Sequence, residues 1–129
     1  MMGRQLKSTE GFTLLELLVV LGIISILSAI AVPQLSAYKK NAFVDDVKAD
    51  LRNAAMFEES YFIDNAAYTD TLSNLAGVGF RQNTGVTLAI TVGGGGQNFS
   101  ITATHNNCGA DVWTFTVTGK IVDPATPCK

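Results

Sequence analysis

From Phe12 to Val32 the chain runs 21 residues with a single charge, Glu16. As a helix this run is about 31 Å long, which matches a hydrocarbon core of about 30 Å. Any fold must therefore give the run lipid or other protein to lie against. Glu16 is the anomaly within it. A carboxylate well inside a lipid-facing helix costs about 2.5–3.5 kcal/mol on insertion scales, and such residues tend to be functional.

Three readings account for the N-terminus. A secretory signal peptide would use Arg4 and Lys7 as its positive flank, Leu17 to Ser28 as its apolar stretch and Ala29-Ile30-Ala31 as its cleavage signal. Against it, Glu16 interrupts the junction of the charged and apolar parts, and the run passes smoothly into a second helical segment. A plain membrane anchor is the second reading. The positive-inside rule barely orients it, because Lys39 and Lys40 on one flank balance Arg4 and Lys7 on the other.

The third reading comes from the stretch "KSTEGFTLLELLVVLGIISILSAIAVPQLSAY", which closely resembles the N-terminus of type IV prepilins. The match is dense over about 30 residues and specific in order: basic leader, Gly-Phe-Thr-Leu, Glu, apolar run, Pro. The resemblance implies cleavage between Gly11 and Phe12 by a prepilin peptidase that also methylates the new Phe12 amine. It places the family's Glu, the fifth residue of the mature chain, on Glu16 and its helix-bending Pro on Pro33. The freed amine of Phe12 would be a cation about one helical turn from Glu16, at the positive end of the helix dipole. In an assembly, the amine of one subunit could pair with Glu16 of the next. A buried unpaired charge is penalised by several kcal/mol, so such a pair would resist the axial slip that apolar packing tolerates.

Beyond Pro33 the helical character continues to about Ile63. Leu35, Tyr38, Val44, Val47, Leu51, Ala54, Ala55 and Phe62 recur at spacings of three and four, with Lys39, Lys40, Asp45, Asp46, Lys48, Asp50 and Arg52 on the other face. Joined to the apolar run this predicts a helix of about 52 residues, far longer than a globular domain normally buries. From Asp64 turn formers predominate, which predicts a loop. Three segments of period-two alternation follow, Val86 to Val92, Phe99 to Thr104 and Val112 to Thr118, then a short Ile121-Val122. A sheet with one apolar face needs a cover, and the amphipathic half of the helix is the candidate. The expected class is α+β: a long N-terminal helix, its first half membrane-spanning, packed by a small antiparallel sheet. That arrangement is also pilin-like. The expected divisions are a cleaved leader (1–11), an apolar assembly helix (12–33), an amphipathic helix (34–63), a connecting loop (64–85) and a sheet with a disulfide-closed C-terminal region (86–129).

Other chemistry is thinly represented. Nine Lys and Arg stand against eleven Asp and Glu, with no basic patch, which argues against nucleic acid as a partner. Cys108 and Cys128 are an even pair behind an export-type N-terminus, which points to one disulfide, with two free thiols as the alternative. His105, Cys108 and Asp111 are a poor zinc pattern, so no metal and no cofactor is expected. Gly93 to Gly96 join two strands and lack the lysine of a phosphate loop. Asp45-Asp46 and Glu58-Glu59 read as solvated or subunit-contact surface. Phe12, Tyr38, Phe43, Phe57, Tyr61, Phe62 and Tyr68 line the helix and its exit and read as packing groups, with electron transfer, proposed for some pilins of metal-reducing bacteria with similarly placed aromatics, as the alternative. No nucleophile, base and acid set exists, so the chain reads as non-enzymatic.

The resemblance thus implies a pilus subunit that polymerises with itself into a helical, non-closing filament. Its other expected partners are the prepilin peptidase and methyltransferase, the inner-membrane assembly machinery, and the inner membrane itself before export to the cell surface. A pseudopilin of a type II secretion machine shares the N-terminus. A secreted binding domain released after Ala31 is the reading from another class.

Overall fold

The computed structural model describes residues 11–128; the leader expected at 1–11 otherwise lies outside the described residues. The element order is α1 (Leu14–Asn65), α2 (Leu72–Gly77), β1 (Val86–Gly93), β2 (Asn98–His105), β3 (Trp113–Phe115) and β4 (Ile121–Val122). The chain divides into two compact units, Met1–Ser36 and Ala37–Lys129.

Within the first unit the described residues are helical from Leu14 onward, and every one of them is exposed. This part of α1 is long and apolar enough to cross a membrane. Its backbone is satisfied internally, as a helix in hydrocarbon requires. Two features strain that scheme. Pro33 lies inside the helix and has no N–H to give to the carbonyl of Ala29. Ser25 turns its hydroxyl back to the carbonyl of Leu21 at 2.7 Å, a contact that often bends a helix.

The second unit holds the core. The sheet has order β1-β2-β3-β4, with each neighbouring pair antiparallel. Alternation decides its faces: Val86, Leu88, Ile90, Phe99, Ile101, Ala103 and Trp113 point inward, while Thr87, Ala89 and Thr91 stand on the exposed side. The inward residues join Val47, Leu51, Ala54 and Ala55 of α1 in one buried cluster, with Trp113 fully enclosed. The sheet is thus covered by the second half of α1. Aromatic side chains fill the margins: Phe43 stacks on His105 at 4.5 Å, Phe57 meets Phe80 at 6.0 Å, and Tyr68 lies 4.6 Å from both Phe62 and Phe99. The β1–β2 connection is pinned in turn. Gly96 has φ +89°, and a Cβ there would come within 3.0 Å of Ala67. Its carbonyl accepts the Tyr68 amide at 3.0 Å.

Four details differ from the sequence reading. Leu35 and Tyr38 are exposed (56% and 71%), so the buried stripe starts only near Phe43. Asp50 and Glu58, expected among the solvated residues, are completely buried. The segment after Asn65 contains the short helix α2, which places Leu75 in the core. The third strand stops at Phe115, because Thr116 to Lys120 form a turn closed by the Thr116 amide on the Lys120 carbonyl at 2.9 Å.

Candidate assembly site

The head of α1 is organised by a reciprocal pair that the sequence analysis passed over. The Thr13 amide donates to Glu16 Oε2 at 2.8 Å, and the Thr13 hydroxyl donates to the same oxygen at 3.0 Å. The Glu16 amide returns a bond to Thr13 Oγ1 at 3.2 Å. This is a capping box, Thr-x-x-Glu, which satisfies helix-end amides that otherwise have no partner. The signal was legible in "TLLE". Glu16 therefore has a local role in the lone chain, and that role uses one carboxylate oxygen. Oε1 makes no hydrogen bond among the described residues and is open to a cation.

Around this head the surface is apolar. Phe12 is 94% exposed and Leu14 88%, and an open cleft bounded by Phe12, Leu15, Leu17, Val19 and Val20 lies beside Glu16. Such a surface is a liability for a monomer in water, and large exposed apolar patches mark membrane or protein contacts. Gly11 is exposed, and among the described residues nothing stands within 4 Å of its Cβ position.

In the second unit His105, Cys108 and Asp111 are each engaged. His105 is buried; its Nδ1 accepts the Asn107 amide at 3.1 Å, and its ring lies on Phe43. Cys108 and Cys128 form a disulfide with a Cα separation of 4.3 Å. Asp111 accepts the Cys128 amide at 2.6 Å, holding the C-terminal end of the tail. Within "HNNCGAD", Cys108 and Asp111 thus anchor the tail.

Two buried carboxylates on α1 hold the segment between helix and sheet. Asp50 accepts from the Asn83 amide at 2.8 Å and from its side-chain Nδ2 at 2.9 Å. Glu58 accepts from the Thr69 amide at 3.0 Å, while its other oxygen is buried with no partner among the described residues. Burial pushes both carboxyls above their ordinary range; the donated hydrogen bonds oppose this, and neighbouring carboxylates (Asp46 for Asp50, Glu59 and Asp70 for Glu58) add to it. The sequence gives no local sign of either role, because the amides they serve lie 33 and 11 residues away.

Known families match both parts of this architecture. Residues 6–32 match the prokaryotic N-terminal methylation motif. The chain is 38% identical over 109 residues to the type IV wide pilus major component PilA4 of Thermus thermophilus, covering 84% of this chain and 81% of that protein. It is 38% identical over 71 residues to type II secretion system core protein G of Pseudomonas aeruginosa, covering 55% and 50%. It is 34% identical over 61 residues to the type IV major pilin protein of Myxococcus xanthus, covering 47% and 28%. The long helix with an apolar, uncovered first half and a small antiparallel sheet on its second half is the α+β fold of a pilin. The chain belongs to the type IV pilins and is a structural subunit of a pilus.

Proposed function

We propose that the chain is made as a precursor, cut between Gly11 and Phe12 by a prepilin peptidase and methylated on the Phe12 amine. Residues 12–33 then hold it in the inner membrane until the assembly machinery there adds it to a helical homopolymer on the cell surface. The observation that supports this best is the first half of α1, which is helical, apolar and uncovered by its own chain, with an acid at its head. In the polymer that half is covered by the same half of other copies. The subunit contributes structure, with no catalytic step. A type II secretion pseudopilin is the second reading, favoured by the Pseudomonas match. The pilus reading has wider support, because similarity to the Thermus pilus component extends over 109 residues and so into the sheet.

Glu16 is the assembly residue in this proposal. Its Oε2 stays in the capping box, and Oε1 takes the Phe12 amine of a neighbour, fixing axial register. Two variants separate the charge from the cap. Glu16→Gln keeps a residue suited to the box and removes the charge, whereas Glu16→Val removes both. Both should yield membrane-inserted monomers with no filaments by electron microscopy of sheared surface fractions. Filaments at normal yield from Glu16→Gln would sink the pairing and leave capping as the residue's whole role. The intact mass of the mature chain tests processing: it should begin at Phe12 with one added methyl. A start at Val32 would establish the ordinary signal-peptide reading.

A further inference from the structure

β1 is an outer strand of the sheet, and its free edge lacks the devices that usually keep such edges apart. The strand, Val86–Gly93, runs in unbroken register with β2 and so carries no bulge. Its sequence, VTLAITVG, has no charge and no proline. A long, regular, uncharged edge presents unpaired amides and carbonyls and templates pairing with another chain. Val86 at its start is engaged: its amide donates to the Asn83 carbonyl at 3.3 Å, and its carbonyl accepts from the Gln82 side chain. From Thr87 to Val92 the one hydrogen bond outside the ladder, among the described residues, comes from the Thr102 hydroxyl of β2. α2 lies beside β1 and gives it no hydrogen bond. In an antiparallel pair alternate residues turn both backbone groups to the same neighbour, so about half of this stretch directs its amides and carbonyls outward.

The order of side chains says what fits there. The stretch VTLAITV reads nearly the same in both directions about Ala89. Laid antiparallel on an identical strand and centred on Ala89, it sets Val86 on Val92, Thr87 on Thr91 and Leu88 on Ile90, with Ala89 on itself. Apolar side chains then share the helix-covered face and threonines the exposed face, and no charge meets its like. Moving the partner by one residue opposes inward to outward side chains. Moving it by two keeps the faces, sets Ala89 against a threonine and shortens the ladder.

We infer that β1 pairs antiparallel with β1 of a second copy, centred on Ala89, joining two sheets into one. The pairing is isologous and closes at two copies. Its two-fold axis stands normal to the sheet, so α1, packed along the sheet, runs the opposite way in the second copy. Copies in one membrane or in one polar filament share a direction. The contact therefore joins two filaments lying side by side with opposite polarity. This last step rests on the assembly proposed above; the strand pairing does not. Each contact is a single ladder, and repetition along two filaments multiplies its strength. It uses neither Glu16 nor the first half of α1.

Cysteine trapping in the full chain reads the register. Ala89 is exposed and lies on the two-fold axis, where opposed Cα atoms stand about 4.5–5.5 Å apart, within the span of a disulfide. Ala89→Cys, oxidised with copper phenanthroline, should give a dimer on a non-reducing gel, both in detergent and in purified filaments. Thr87→Cys alone should give none, because its two copies sit four residues apart, about 14 Å; mixed with Thr91→Cys it should dimerise. No dimer from Ala89→Cys overturns the pairing, and an equal dimer from Thr87→Cys alone overturns the register. Ala89→Lys sets two cations face to face on the two-fold. It should leave filament yield unaltered and reduce side-by-side filament pairs in electron micrographs at least about tenfold, with recovery when mixed with Ala89→Glu filaments. Pairs at normal frequency from Ala89→Lys, or Ala89→Cys dimers in detergent with none in filaments, overturn the lateral contact. If the unaltered chain makes no filaments, the assembly reading fails with the lateral contact, and the detergent dimer still decides the strand pairing.

Discussion

The two halves of α1 share a backbone conformation and differ in what covers them. Before Ser36 no described side chain is buried, although nearly all are apolar. After Ala42 a face made of Val47, Asp50, Leu51, Ala54, Ala55 and Glu58 is buried beneath the sheet, although half the surrounding residues are charged or polar. Hydropathy alone would rank these halves in the opposite order. Burial in a single chain follows from having a second layer to pack against, and only the second half has one. On the proposed function the first half carries its apolar surface to lipid or to other copies. A substitution there should alter membrane residence or assembly, and one in the second half should alter folding.

The strongest test of that division is a pair of truncations. Trp113→Ala should destabilise the second unit by about 3–5 kcal/mol, and Leu51→Ala by about 2–5 kcal/mol, because both side chains are fully enclosed. Ile24→Ala, on an equally apolar but exposed residue, should leave the unfolding transition of the second unit within about 0.5 kcal/mol of the unaltered protein. Denaturant unfolding of detergent-solubilised chain measures all three, followed by Trp113 fluorescence for Leu51→Ala and Ile24→Ala and by circular dichroism for Trp113→Ala. A large effect of Ile24→Ala would break the contrast.

A smaller effect is expected from the tail. Cys108 and Cys128 lie 20 residues apart, and the bridge should contribute about 3 kcal/mol on the chain-entropy estimate. Replacing both with Ser should lower stability by that order and leave membrane insertion unchanged. Alkylation without reductant should find no free thiol in purified filaments. Labelled cysteine there would contradict the bridge.

The buried acids predict an unusual dependence on pH. Asp50 and Glu58 have raised folded values, so the folded state binds protons more readily than the unfolded one in the window between each ordinary and raised value. Their contribution to stability therefore falls as pH rises through that window, and is recovered on acidification. The second unit should become more resistant to denaturant as pH falls from neutral into this range. Asp50→Asn with Glu58→Gln should flatten that trend. An unchanged trend in the double variant would assign it to other groups. The smallest effect belongs to Lys48→Ala, which removes the partly exposed pair with Asp123 at 3.0 Å and should cost no more than about 1 kcal/mol.

What could be read from the sequence follows the same division. The apolar run, the helix length and the alternating strands were legible because each is a local pattern repeated over many residues. Observed α1 spans 52 residues, the length expected, displaced by two residues at each end. Asp50 and Glu58 were misplaced because their partners come from a distant segment, and nothing near either residue announces a buried acceptor. The early end of β3 was hidden for a similar reason: "TFTVTG" alternates well, but the Thr116–Lys120 closure ends it. Glu16 is the instructive case. Its membership of the run drew attention to a partner in another copy, while the capping partner three residues upstream was overlooked.

The central claim is that the uncovered half of α1 finds its cover, and Glu16 its cation, in other copies of the chain. A filament reconstruction that resolves Phe12 to Pro33 tests this directly. The account predicts that these segments pack against one another in the filament interior, with Glu16 within about 4 Å of a neighbour's Phe12 amine. It also predicts that α-helical bonding is lost between Ser25 and Pro33, where the missing amide of Pro33 costs about 3 kcal/mol and neighbouring chains can relieve it. Glu16 turned to solvent without a cation, or a continuous helix up to Pro33 with its apolar face on the filament exterior, would contradict it.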